Sequence, residues 1–462
     1  MSVLSNRSWR VAITIAGSDS GGGAGIEADL KTFASLGVHG TVAITSVTAQ
    51  NTYEVTAIHD IPPEVVYEQV KVVAEDMGID AGKTGMLSNS NIIRFVARAV
   101  KEFSFPLVVD PVMVAKSGAR LLREDAVEAL KRELLPQAKV VTPNKAEAEV
   151  LSGIEIKNLE DSKLAAKKIY EEYSCEAVVV KGGHLGGSEA VDTLYWDGKY
   201  YVLSAPRISG VGTHGTGCVF SAAIAAYLAK GLSILDAVTK AKEFVTRAIE
   251  FGVPVGKGHS PVNPVAWLEI PAQKYSTLLS IEEALEKLLR NSEKVREAVP
   301  EVGMNLVESI PAHYVRNPND VAGIMGRIVR YGSSIKAVGP VRFGASSHLA
   351  RLVIEVLKRN PDVRAAINLR YDEKYVKKAT ELGYLVVRVD RLKEPEESKK
   401  VEGSSLKWIV GEALKQYGEK VPDIIYDTGD VGKEAMIRIL GKNATEVVEK
   451  LLRILGEPKE GK

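Results

Sequence analysis

The chain has 462 residues, of which 45% are hydrophobic and 26% charged, with a formal net charge of +1. Such a length exceeds one ordinary core and predicts two domains or three, while near-neutrality excludes an overall field that would gather nucleic acid or an acidic membrane. The two cysteines, Cys175 and Cys218, are too few for a disulfide framework or a zinc site, and no apolar run reaches about 18 residues or forms a leader, so a cytoplasmic protein is expected.

From the N-terminus, "RVAITIAG" (10–17) is a β-branched run closed by Gly, "AGIEADLKTFASLG" (24–37) has helical spacing, and "TVAITSVTAQ" (41–50) reads as one strand. "PEVVYEQVKVVAEDMG" (63–78) is helical. "PLVVDP" (106–111), "KVVTP" (139–143) and "EAVVVKGG" (176–183) are continuous apolar strands, with helical patterns between them at "REDAVEALKRELLP" (123–136) and "SKLAAKKIYEEY" (162–173). Strands without alternation are buried on both faces, which predicts a mainly parallel sheet covered by helices. "AVDTLYWDGKYYVLSAP" (190–206) alternates on either side of Asp197-Gly198 and predicts a hairpin.

The pattern breaks at "FGVPVGKGHSPVNPVAWLEIPAQ" (251–273), where four prolines and three glycines argue against a regular element. The domain boundary is placed here: a first domain over 1–265, a connecting segment over 266–299, and a second domain over 300–462. "SIEEALEKLLRNSEKVREAV" (280–299) predicts one long amphipathic helix. The remainder again alternates strand and helix patterns and predicts a smaller, separate α/β domain.

The chemistry concentrates where glycine meets helix. In "GVGTHGTGCVFSAAIAAYLAKG" (210–231) glycines precede an alanine-rich helix. Bare backbone N–H groups and the helix dipole suit an anion whose charge grows during reaction, such as a transferring phosphoryl group. Parallel sheets gather ligands at the carboxyl ends of their strands. There the chain offers "AGSDSGGGAG" (16–25), "AQN" (49–51), "KTGM" (83–86), "DPVM" (110–113), "TPNKAE" (142–147) and "KGGH" (181–184), and no Walker loop.

Together these six motifs resemble the ribokinase-like family, and more narrowly the hydroxymethylpyrimidine/phosphomethylpyrimidine kinases of thiamine biosynthesis, over about residues 10–265. The resemblance implies a ribokinase-like α/β/α domain that uses ATP and Mg²⁺. It places Gly17, Asp29, Gln50, Met86 and Val112 around the pyrimidine and Asp110 and Glu147 at the metal. Asn144, Lys181 and Thr213 would face the nucleotide, and Gly215, Thr216, Gly217 and Cys218 would form the anion hole. Cys218 stands where related kinases carry an Asp base. A helix tip lowers a thiol pKa, which would favour a thiolate base; a small packing residue is the other reading. Lys116 in "AKSG" (115–118) would neutralise phosphate charge from a lid. The family also implies a homodimer formed through sheet edges.

In the second half, "GPVRFGASSHLARLV" (339–353) repeats the theme of glycines, small hydroxyls and a helix, which Ser346 or Ser347 would cap. His348 would sit in its first turn as a neutral imidazole. "YDTGDVGKEAMIRILG" (426–441) predicts a second Gly-rich turn into a helix, with Lys433 at its start. Arg327 and Arg330 read plainly as a solvated helix face. "GRIVR", "VGPVRFGASSH", "NLRY", "EGSSLKW" and "PDIIYDTGDVGKEAMIRILG" resemble the archaeal-type thiamine-phosphate synthase domain. That resemblance makes Arg327 and His348 catalytic, with Ser346, Ser347 and Lys433 for a thiazole phosphate. The implied partners are small molecules: the pyrimidine, its phosphate and the thiazole phosphate, with no nucleic acid and no membrane. The alternative reading is a pyrimidine/pyridoxal-type vitamin kinase followed by a non-catalytic domain that senses thiamine phosphate.

Overall fold

The computed structural model describes residues 8–113, 122, 124–183, 187–208, 212–395, 404–417, 420–430 and 432–456. The chain divides after Leu268 into two compact units. In the first, chain order runs β1 (Val11–Ala16), α1 (Gly25–Ser35), β2 (His39–Ile44), β3 (Ser46–Gln50), β4 (Val55–Asp60), α2 (Pro63–Asp76), β5 (Ala81–Thr84), α3 (Ser90–Phe103) and β6 (Leu107–Val109). It continues through α4 (Glu124–Ala129), β7 (Val140–Val141), α5 (Lys145–Ser152), α6 (Leu159–Tyr173), β8 (Ala177–Val180), β9 (Glu189–Trp196), β10 (Lys199–Pro206), α7 (Thr216–Ala229) and α8 (Ile234–Glu250).

Eight of these strands form one sheet in the order β10-β9-β8-β7-β6-β5-β1-β2, parallel from β8 to β2. The apolar runs are continuous because both faces are covered: Ile13, Leu107, Val109, Val141 and Val178 enter one core, and Ala12, Val108, Val140 and Val179 the other. The register Ile15–Thr84–Val109–Val141–Val178 aligns the strand ends. Gly17, Gly85, Asp110 and Asn144 therefore follow along one edge, and an isolated bridge pairs Asn144 with Lys181. The hairpin β9–β10 turns at Asp197 (φ 50) and Gly198 (φ 69), the left-handed pair that a two-residue turn requires.

Two expectations change here. Residues 41–50 are two strands, because Thr45 leaves the large sheet after β2, and its buried hydroxyl donates to the Met86 carbonyl at 2.6 Å. β3 then pairs only with β4, as a separate antiparallel ribbon. The helix read over 123–136 keeps its α form only in α4. Wider and tighter turns follow through Gln137, where Pro136 has no N–H to continue an α ladder.

Regular structure also enters the Pro/Gly segment: α9 (Ala266–Arg290) contains Pro271. At Asn291 (φ −106, ψ 27) the backbone leaves helical geometry, so 280–299 is not one helix and α10 (Ser292–Arg296) follows. The second unit then holds β11 (Leu306–Ser309), β12 (Val321–Ile324), β13 (Ile328–Tyr331), β14 (Ser334–Ala337), β15 (Val341–Phe343), α11 (Ser347–Leu357), β16 (Ala365–Arg370) and α12 (Glu373–Glu381). β17 (Val386–Arg388), α13 (Ser404–Tyr417), β18 (Ile424–Asp427), β19 (Met436–Gly441) and α14 (Ala444–Leu455) complete it.

Its seven-stranded sheet, β15-β12-β11-β16-β19-β18-β17, is antiparallel except for β17–β18. Residues 433–441, expected as helix, are a turn and a strand. Gly429 (φ 80) and Gly432 (φ 73) set the turn, and Ile437 and Ile439 point into one core while Leu440 points into the other. No helix among the described residues is long and apolar enough to cross a membrane.

Leu107 is fully buried on central strand β6. Leu107→Ala should lower the stability of the first unit by about 2–5 kcal/mol, read as a lower urea midpoint with an unchanged slope.

Candidate active sites

In the first unit α7 starts at Gly215, whose backbone is left-handed (φ 81, ψ 3) and which offers no side-chain cap. The helix behind it is buried on every side from Val219 to Ala229, and its alanines let it approach α1, α8 and the sheet. Gly215 could not be another residue: an added Cβ would lie 1.9 Å from the Gly23 carbonyl oxygen. Gly217 faces the charged side of the site, since a Cβ there would meet Asp110 Oδ2 and Lys181 Nζ, each at 3.3 Å. Thr213 shapes the turn through its carbonyl, which accepts from Thr216 Oγ1 at 2.8 Å.

The glycine loop after β1 is braced by a residue that the sequence reading passed over. Asp19 Oδ1 accepts from the Gly21 amide (2.8 Å), and Oδ2 accepts from the amides of Gly23 (3.1 Å) and Ala24 (2.8 Å). His214 Nε2 lies 2.9 Å from the same Oδ2 and 3.3 Å from Gln50 Nε2. Burial would raise the Asp19 carboxyl, but the bonds from His214 and the loop amides hold it below the usual range. The legible signal was an Asp followed by glycines, which is an Asx-turn pattern.

The predicted phosphate and metal residues come together. Lys181 Nζ donates to Asp110 Oδ1 at 3.0 Å, and Asp110 is 3% exposed. Asn144 caps α5 in a reciprocal box with Glu147: each side chain accepts from the other's backbone amide, at 3.0 and 2.8 Å. The other Glu147 oxygen accepts from the Met113 amide at 3.3 Å. Burial raises the Glu147 carboxyl, with Lys181 opposing and Asp110 adding. No group of three His, Cys, Asp or Glu residues that could hold a metal occurs among the described residues. A pair of hard carboxylates is nevertheless a sufficient protein share for Mg²⁺ whose remaining ligands are phosphate and water. Lys116 lies outside the described residues.

Of the predicted pyrimidine residues, Gly17 and Met86 are brought together. An added Cβ on Gly17 would strike Met86 Cε at 2.6 Å, so these two are in contact. Val112 is held at φ 34, a strained conformation for a β-branched residue. Asp29 is fully buried, with Oδ2 accepting from Thr14 Oγ1 (2.6 Å) and from Lys83 Nζ (2.8 Å). Lys83, also fully buried, is a second residue that the sequence reading left without a role.

Cys218 departs from the expected low pKa. Removal from water pushes its thiol up to about 11, and Asp29 and Asp110 add to this, while Lys83 and the Gly25 amide only partly oppose them. The dipole of the α7 tip does not prevail against that burial, to which the two carboxylates add.

In the second unit, Ser346 occupies the cap position of α11, but its hydroxyl makes no capping bond. His348 in the first turn is driven down to about 4, by burial first and then by Arg438, Arg391, Arg327 and Arg351. Its neutrality therefore comes from burial among cations more than from the helix dipole. Arg327 is not on a helix face. It sits in the turn between β12 and β13 at φ 74, after Gly326 at φ 70, and its guanidinium donates to the Val302 carbonyl. Arg330 lies on β13 and donates to the Val299 carbonyl at 2.5 Å.

Lys433 does not start a helix. From the β18–β19 turn its Nζ reaches Glu394 Oε2 (3.2 Å) and Ser405 Oγ (3.3 Å). Glu394 also accepts from Arg391 Nη1 (3.1 Å), and Arg438 Nη1 donates to Asp427 Oδ2 at 2.8 Å. Of these buried arginines, Arg438 was legible only as one charge inside the apolar run "MIRILG", and Arg391 carried no such signal.

Residues 19–263 match the family described as phosphomethylpyrimidine kinase, and residues 280–453 match thiamine-phosphate synthase ThiN. The chain belongs to the phosphomethylpyrimidine kinase family, and its second matched segment is a thiamine-phosphate synthase domain. The hydroxymethylpyrimidine/phosphomethylpyrimidine kinase of Bacillus subtilis is 47% identical over 258 residues, 55% of this chain and 95% of that protein. The thiamine biosynthesis bifunctional protein ThiED of Geobacter sulfurreducens is 45% identical over 254 residues, 55% of this chain but 52% of that protein. Among solved structures, an ADP complex of Bacillus subtilis pyridoxal kinase is 40% identical with a TM-score of 0.53, covering 57% of this chain and 99% of that one. Staphylococcus aureus pyridoxal kinase with AMP-PCP and pyridoxal is 37% identical with a TM-score of 0.51, covering 56% and 95%.

Two outcomes follow from this geometry. Gly215→Ala, facing both positive φ and the Gly23 carbonyl, should destabilise the first unit by at least about 1–3 kcal/mol in chemical denaturation. Alkylation of Cys218 by iodoacetamide, followed by peptide mapping, should be slow at neutral pH and accelerate towards a midpoint of about 11; a midpoint below the ordinary thiol value would contradict the assignment.

Proposed function

We propose that the chain makes thiamine phosphate in three steps. ATP phosphorylates 4-amino-5-hydroxymethyl-2-methylpyrimidine and then its monophosphate, and the resulting pyrophosphate condenses with hydroxyethylthiazole phosphate, releasing pyrophosphate. The observation that carries the kinase reading is the uncapped tip of α7 at Gly215, with Asp110, Lys181 and Glu147 beside Gly217.

In the kinase site the amides of Gly215–Cys218 would hold the charge that grows on the transferring phosphoryl group. Lys181, Thr213 and Asn144 would face the nucleotide, as would Lys116. Asp110 would hold Mg²⁺ directly. Glu147, whose two oxygens already accept amides, would act through water. Bound there, the metal would supply positive charge against the phosphates. Gly17, Met86 and Val112 would enclose the pyrimidine, with Asp29 and Gln50 at its edge. A thiol pushed up to about 11 is a poor resting base. Cys218 would therefore shape the hole; a dissociative transition state needs little base help, and the acceptor hydroxyl would lose its proton late, to an oxygen of the transferred phosphoryl group or to water.

In the synthase site Arg327 would grip the departing pyrophosphate with a bidentate fork. His348, neutral at working pH, would donate a hydrogen bond to it. Ser346 and Ser347, at the start of α11, would contact the thiazole phosphate; Lys433, committed to Glu394, would support the buried ion network instead. The protein would work in the cytoplasm as a homodimer, for which the exposed Val47 and Ile58 of the β3–β4 ribbon offer apolar surface.

Incubating the purified chain with the pyrimidine alcohol, thiazole phosphate, ATP and Mg²⁺ should give thiamine phosphate. Arg327→Ala should abolish this product by about 10²-fold or more while leaving pyrimidine phosphorylation intact; unchanged synthesis would remove the assignment. Since His348 is depressed to about 4, synthase activity should show no ionisation near 6.5 that His348→Gln removes. Stability of the second unit should fall as pH drops from about 6.5 towards 4, because the unfolded state takes up the proton first.

A further inference from the structure

Two charges lie completely out of water at the centre of the first unit. Lys83 is on β5 and Asp29 is on α1, both 0% exposed, and their side chains meet at 2.8 Å. Burying an ion pair of this kind gives little net stability against an apolar pair of the same size, so stability alone does not account for it. The pair is also asymmetric. Thr14 and Lys83 both donate to Oδ2, whereas Oδ1 is buried with no hydrogen-bond partner. A buried carboxylate oxygen left bare is costly unless something else supplies a donor. Gly85 makes room for the lysine: an added Cβ would stand 2.9 Å from Lys83 Nζ.

The surroundings point towards the substrate end of the site. Gly17 and Met86, one residue past β1 and two past β5, are in contact. The charges facing Asp29 are Lys83 on β5, Asp110 beyond β6, Cys218 on α7 and Glu27 on its own helix. Lys83 is the one cation among them. We propose that Lys83 is a positioning residue for pyrimidine recognition: it holds Asp29 ionised by one oxygen and so presents the other, bare oxygen to a ligand N–H. The ligand class is a heteroaromatic alcohol with an exocyclic amine, and the inference rests on the kinase reading above. Lys83 acts through Asp29 and need not touch the phosphates.

The test compares wild type, Lys83→Met and the neutral pair Asp29→Asn/Lys83→Met, using hydroxymethylpyrimidine with ATP and Mg²⁺ between about pH 6 and 9. Without the cation, burial and Asp110 favour the protonated Asp29 carboxyl, a weaker acceptor for the amine than the carboxylate. Lys83→Met should therefore raise KM for the pyrimidine about tenfold or more at the acid end, with KM recovering as pH rises. Changes in kcat should stay within about threefold, and KM for ATP should not move. The neutral pair, which removes both charges and so avoids a lone buried carboxylate, should fold and show a raised KM that is flat with pH. A KM like wild type in either variant, or a rise in Lys83→Met that is equal at every pH, overturns the proposal. If Lys83→Met does not fold, the neutral pair decides by the same KM. A wild type that does not phosphorylate the pyrimidine at all overturns the kinase reading, and this inference with it.

Discussion

The contact on which the first unit depends is the meeting of two glycine turns. The left-handed start of α7 lies so close to the Gly23 carbonyl that no side chain fits between them. That approach brings the loop after β1 and the loop before α7 into one surface. Asp19 fixes it from one side through three amides, and His214 reaches the same carboxylate from the other. The helix tip is thus rigid before any ligand arrives, which is what electrostatic stabilisation of a transient charge requires.

Around this surface the charges divide by depth. Lys181 and Asp110 form a pair at the rim beside Gly217, while Lys83 and Asp29 form a second pair in the interior. Cys218 is held protonated first by its burial and then by both carboxylates. The second unit uses the opposite balance. Burial, and then Arg438, Arg391, Arg327 and Arg351, keep His348 neutral, while Asp427 pairs with Arg438 and Glu394 with Arg391 and Lys433. A cluster rich in cations beside a neutral imidazole would suit, on the proposed reading, ligands that carry several phosphates.

Much of this was legible before the fold was known, for physical reasons that differ by element. Continuous β-branched runs identified β1, β6, β7 and β8, since only strands covered on both faces read that way. Asp197-Gly198 announced its hairpin through its left-handed demand. The glycine motifs lined up because strand ends in a parallel sheet share an edge. What stayed hidden needed tertiary information. Thr45 breaks one apparent strand through a single side-chain bond to a distant carbonyl. Residues 433–441 carry helix-compatible residues, and only pairing with β16 and β18 makes them a strand. Arg327 falls in a strained turn that no periodicity marks. Lys83 resembles an ordinary surface lysine until its depth is seen, and the thiol pKa of Cys218 depends on its burial and then on carboxylates that precede it by more than 100 and by nearly 190 residues.

The burial of α7 on all sides carries a kinetic implication. A helix packed by alanines against α1, α8 and the sheet has no room to slide or tilt. On the proposed reading two phosphoryl groups are added in succession at this fixed tip, so the acceptor would do the moving and the monophosphate would re-seat itself between the first transfer and the second.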